Sequence, residues 1–72
     1  MKKEEFLAAL TAAKHVLMRY AIYLTGDKNS ADELLQETIA HAYMAHNKFK
    51  QGTNFTNWLI TLMKNVHLTS TE

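Results

Sequence analysis

Between its second and third apolar stretches the chain reads Phe49-Lys50-Gln51-Gly52-Thr53-Asn54-Phe55, which brings aromatic rings, a cation, a glycine and amide or hydroxyl side chains together. Each type answers a feature of single-stranded nucleic acid. Lys meets phosphate, amides pair with the edge of an unstacked base, and rings offer a stacking surface worth ~1–3 kcal/mol per base. The same segment also reads as a glycine turn between two core Phe residues. Asn57, Thr61 and Lys64 follow at helical spacing and would extend the polar surface along one side of a third helix.

A second constellation precedes it. At ~100° per residue, Glu33, Gln36, Glu37, Ala40 and Met44 fall within about a quarter-turn of one another on a helix. Two carboxylates beside a small apolar spot suit docking against a basic, partly apolar partner helix, with Met filling gaps. An ordinary solvated charged face is the alternative. His41 and His46 are spaced about 140° apart on a helix, which is poor geometry for sharing a metal. No Ser-His-Asp set, Gly-rich phosphate loop or paired-carboxylate pocket is visible, so neither catalysis nor a cofactor is expected.

The elements that position these residues follow from breakers and periodicity. Pro is absent and Gly occurs only at Gly26 and Gly52, leaving three long uninterrupted stretches. Phe6, Leu10, Ala13, Leu17, Ala21 and Leu24 make one stripe of a helix over about 4–24, closed by Gly26. Ser30 and Glu33 match a capping box and predict a second helix over about 31–47. Its core side is Leu34, Thr38, Ala42 and Ala45, widened by Leu35, Ile39 and the following Phe49. Thr53 or Asn54 can cap a third helix, over about 55–67, whose buried stripe is Phe55, Trp58, Leu59, Leu62 and Val66. The expectation is an all-α bundle of three helices forming one domain over residues 1–72.

Composition bounds the class. The 72 residues suit a single small core, and without Cys neither a disulfide nor a thiolate metal site can supplement it. No run approaches the ~20 apolar residues of a membrane span, and no secretory leader pattern is seen, so a soluble cytoplasmic protein that binds no membrane is expected. Formal net charge is only +1, yet residues 1–37 hold five Lys or Arg and six carboxylates while residues 38–71 hold three Lys and no acid. Acidic and basic surfaces are thus segregated along the chain.

Taken in order, Ala31-Asp32-Glu33-Leu34-Leu35-Gln36-Glu37-Thr38-Ile39, Ala42-Tyr43, Asn47-Lys48-Phe49, Thr53-Asn54-Phe55, Trp58-Leu59 and Asn65 resemble the region 2 pattern of extracytoplasmic-function sigma factors. Leu24-Thr25-Gly26-Asp27 is similar to the turn before that family's second conserved helix. The likeness runs from about Phe6 to Val66. It implies that Gln36 and Glu37, with Glu33 where an Asp is usual, bind the coiled coil of the RNA polymerase β′ clamp. It also implies that Lys50, Gln51, Thr53, Asn54 and Phe55, joined by Lys64, hold the non-template strand of the −10 promoter element. Trp58 and Leu59 resemble the family's core pair and are assigned to packing. An anti-sigma factor is a further partner that such a resemblance allows.

Two departures weaken phosphate contact: His41 and Met44 stand where the family often has basic residues, and Val66-His67-Leu68-Thr69-Ser70-Thr71-Glu72 replaces an Arg-rich tail. The family's −35-reading domain has no counterpart in these residues. The expected function is therefore polymerase and promoter binding without catalysis. The alternative is a helical interaction module that keeps the protein-docking face and does not bind DNA.

Overall fold

The computed structural model of the chain describes residues 2–49 and 52–70. It contains three α-helices, α1 (Lys3–Thr25), α2 (Lys28–Ala45) and α3 (Phe55–Ser70), with a single 3₁₀ turn, His46–Lys48, after α2. No strand occurs among the described residues, so the all-α expectation holds. None of the helices is long and apolar enough to cross a membrane, among the described residues.

α1 forms because its apolar residues recur every three or four positions and nothing interrupts them. Glu4 and Glu5 occupy its positive first turn, and the Glu5 carboxylate accepts the Lys2 backbone N–H at 3.1 Å. Gly26, at φ +89°, takes the left-handed conformation that ends the helix and donates its N–H to the Ile22 carbonyl at 2.8 Å. A side chain here would be strained by the backbone angle alone.

The second helix begins earlier than the capping box predicts. Asp27 is the cap: its carboxylate accepts the Ser30 backbone N–H at 2.8 Å, and α2 starts at Lys28. Ser30 therefore lies inside the first turn and Glu33 points to solvent, so the Ser30/Glu33 box does not form. The physical reason is proximity to the glycine turn. An Asp directly after Gly26 can satisfy the orphan donors three residues sooner, and each added residue gains a helical hydrogen bond. At the other end α2 stops at Ala45 and tightens into the 3₁₀ turn, where the second helix is expected to reach 47.

α3 runs to Ser70, three residues beyond the expected end near 67. Buried Val66 anchors this last stretch, and the Thr69 hydroxyl donates to the Asn65 carbonyl at 2.9 Å. Asn54 supplies the cap: its side-chain oxygen accepts the Asn57 N–H at 3.0 Å.

One core joins the three helices. Phe6, Leu10, Ala13, Leu17 and Ala21 from α1 meet Ala31, Leu34, Leu35 and Ala42 from α2 and Leu59, Met63 and Val66 from α3. Met63 is fully buried, and Leu62, expected in the stripe, is only half-buried at the seam with α2. Leu24, Ile39, Ala45, Phe55 and Trp58 are likewise half-buried. Thr38 is the buried polar residue of the described core, and its hydroxyl donates to the Leu34 carbonyl at 2.7 Å. No buried side-chain nitrogen or oxygen lacks a partner among the described residues, which removes the usual penalty for polar burial.

Candidate functional site

With Ala31, Leu34, Leu35, Thr38 and Ala42 turned inward, α2 must present its other side to solvent. Glu33, Gln36, Glu37, Ala40 and Met44 are all exposed there, Met44 by 71%. The helix carries Asp32, Glu33 and Glu37 against a single Lys28. An acidic strip ending in a large exposed thioether is thus built by the helical period itself. Beside it, where α2 packs on α3, a groove of about 200 Å³ is lined by Glu37, His41, Leu62, Asn65, Val66 and Thr69. His41 faces this groove, whereas His46 lies against the Phe6 and Tyr43 rings, so the two histidines belong to different surroundings.

Aromatic packing joins Phe49, at the end of the second helical stretch, to the start of α3. Phe49 is buried and meets Phe55 edge-on at 5.2 Å between ring centroids, with the rings at 89°. Phe6 of α1 meets Phe55 in the same manner at 5.8 Å and 88°, while Trp58 stacks on Phe55 at 5.7 Å and 28°. Such edge and offset contacts are the favoured geometries for ring pairs. Phe55 is consequently a cluster member with limited free surface, and half-exposed Trp58, expected only to pack, borders the loop as an aromatic surface. Gly52, at φ +91°, supplies the left-handed residue of the turn.

The remaining residues expected at a nucleic-acid surface divide by location. Thr53, Asn54, Asn57, Thr61 and Lys64 are exposed. Lys50 and Gln51 lie outside the described residues. The Asn54 carboxamide oxygen is already engaged in capping α3, leaving its NH₂ as the group able to meet a base edge. Lys64 reaches across to α1, its Nζ 5.9 Å from the centroid of the Tyr20 ring.

Residues 9–70 match the family model for sigma-70 region 2. The chain belongs to the sigma-70 region 2 family. Over 64 residues it is 34% identical to the ECF RNA polymerase sigma factor EcfG of Rhodopseudomonas palustris (strain TIE-1). That likeness takes in 89% of this chain and 33% of the relative, so the chain spans about a third of that protein's length. The comparison identifies it as region 2 of an extracytoplasmic-function sigma factor. The family match covers most of α1, all of α2 and α3, and therefore both the acidic strip and the aromatic loop.

One surface of this region 2 fold was not anticipated from the sequence. On α1, Val16, Arg19, Tyr20 and Tyr23 line a shallow cavity with Ile60 of α3. Their spacing of three, four and seven residues was a readable signal, a second stripe beside the core stripe. It is overshadowed because Leu17 and Ala21, the core positions, interleave with it.

Proposed function

We propose that the chain serves transcription initiation as a sigma region 2 module in the cytoplasm, docking on the RNA polymerase core through α2 and holding single-stranded promoter DNA through the loop and α3. The observation that carries this is the exposure of Glu33, Gln36, Glu37, Ala40 and Met44 on one side of α2, opposite the core, in a chain of this family. The partner for that strip is the coiled coil of the β′ clamp. Its basic side chains would pair with Glu33 and Glu37 while Ala40 and Met44 pack against its apolar stem.

The DNA side acts by binding alone. A region 2 module biases a duplex toward the open state when it has differential affinity for the unpaired strand. Thr53, the Asn54 amide and the half-exposed Trp58 supply edge contacts and ring surface, with Lys50, Gln51, Asn57, Thr61 and Lys64 completing the path along the −10 element's non-template strand. No catalytic step and no cofactor enter this mechanism.

Titration calorimetry against an isolated β′ clamp coiled coil tests the docking half. Replacing Gln36 and Glu37 together by Ala is expected to cost ~2–5 kcal/mol of binding if these groups are buried on docking. Unchanged affinity removes the clamp from the proposal. A second reading, an interaction module without DNA binding, draws support from the engagement of the Asn54 oxygen and the Phe55 ring within the fold. Fluorescence anisotropy with −10-like single strands separates the two, because only the first predicts a salt-dependent affinity.

A further inference from the structure

The face where α1 packs against α3 has features that the acidic strip lacks. From Phe6 onward α1 carries Lys14 and Arg19 and no carboxylate, and α3 carries Lys64 and no carboxylate. Tyr23 is 79% exposed, an unusual degree for a large ring in a small fold. Its neighbour Tyr20 lies 5.8 Å away between ring centroids at 31°, and Lys64 caps the Tyr20 ring from α3. Val16 and Ile60 complete a cavity of about 300 Å³ beside Arg19, at the small end of the range for ligand pockets. An apolar floor, the open Tyr23 ring beside half-buried Tyr20, and two cations on helix stretches that carry no carboxylate make a surface complementary to a planar group flanked by phosphates.

We propose that this α1–α3 face is a second seat for single-stranded DNA, in which the exposed Tyr23 ring, backed by Tyr20, stacks a base and Arg19 and Lys64 take the adjoining phosphates. It rests on the DNA-binding reading above and extends it. Asn57, Thr61 and Lys64 lie along α3, and the Lys64 ammonium sits over the Tyr20 ring of α1, so a strand following α3 is led onto the Tyr20–Tyr23 pair. Nucleic acid is favoured over an acidic helix because the face offers flat rings at its centre and no row of apolar anchors at helical spacing on both helices.

The test uses the 72-residue chain and a short single-stranded oligodeoxythymidine, read by amide NMR shifts and by fluorescence anisotropy at several salt concentrations. The amides of Arg19–Tyr23 and Ile60–Lys64 are expected to shift together with those of Thr53–Asn57. Tyr23→Ala should weaken binding about 5- to 150-fold, the loss of one stacked base, while Tyr23→Phe retains it. Arg19→Gln should lower the salt slope by ~0.7, one phosphate contact on a single strand. Because Tyr23 is so exposed, these losses cannot be ascribed to unfolding, and a thermal melt of each variant checks this. Shifts confined to Thr53–Asn57 with a neutral Tyr23→Ala overturn the second seat and leave the loop reading intact. Absence of any strand binding at low salt overturns both. Equal binding of a poly-glutamate peptide on the same amides overturns the choice of nucleic acid and assigns the face to an acidic protein partner.

Discussion

The outward side of α2 and the α1–α3 face are built by the same helical period and carry opposite chemistry. On α2 three carboxylates meet one Lys, and the exposed apolar group is Met44, flexible and adaptable. Across α1 beyond Phe6 and α3, three cations meet no carboxylate, and the most exposed large apolar group is the rigid ring of Tyr23. A formal net charge of +1 hides this division completely. In so small a fold, the sum of charges says little about partners, whereas its distribution over faces says a great deal.

Both faces depend on one core, and removing it is the most severe way to break the comparison. Leu59 and Met63 are fully buried, so Leu59→Ala or Met63→Ala should cost ~2–5 kcal/mol, a large part of the stability available to a domain of this size. Denaturant midpoints should fall and both binding activities should disappear together. If either activity survives in a variant unfolded by this criterion, the two faces are not set by the shared core.

Charge reversal is the sharper instrument. Glu33→Lys with Glu37→Lys should abolish clamp binding while leaving single-strand affinity unchanged or slightly raised, since like charges facing one another across an interface cost several kcal/mol. Circular dichroism would verify the fold, and calorimetry and anisotropy would report the two activities. Parallel loss of both would mean that the faces are energetically coupled.

Asn54 sits where folding and binding compete for one side chain. Asn54→Ala should destabilise by ~0.5–2 kcal/mol through loss of the α3 cap, and should also relax base preference with little change in salt slope. Asn54→Ser, which keeps a capping oxygen without the NH₂, should restore stability but not base preference. Melts and single-position oligonucleotide series distinguish the two effects.

The smallest effects lie at the start of α2. Hydrogen bonds from Ser30, with a weaker one from the Asn29 backbone, hold the Asp27 carboxyl below its ordinary value near 3.8. A depressed folded pKa means that the ionised cap stabilises above the unfolded value and that this contribution is lost as pH falls through the lower folded value. Asp27→Ala should therefore lower Tm by on the order of several degrees at neutral pH, and the difference from wild type should shrink below about pH 4. Ser30→Ala should matter less, because the leading bond to the Asp27 carboxylate comes from the Ser30 backbone N–H and only the secondary one from its hydroxyl. A larger loss at Ser30 than at Asp27 would reverse the cap assignment.

Much of this was legible because a helix converts spacing into direction. The stripe Phe6, Leu10, Ala13, Leu17 and Ala21 is buried as its period demands, and Glu33, Gln36, Glu37, Ala40 and Met44 are exposed for the same reason. Glycine at positions 26 and 52 marks the turns because the left-handed backbone found there disfavours any other residue. What the sequence could not decide were choices between local solutions of similar energy. Asp27 and Ser30 are both competent caps, and the glycine turn selected the earlier one. Phe55 and Trp58 could each pack or present a ring, and the approach of Phe6 and Phe49 enclosed the first and left the second half-open. The juxtaposition of Tyr20 with Lys64 joins residues far apart in the chain, which local periodicity cannot report. Only the packing of α1 against α3 brings that cation over that ring.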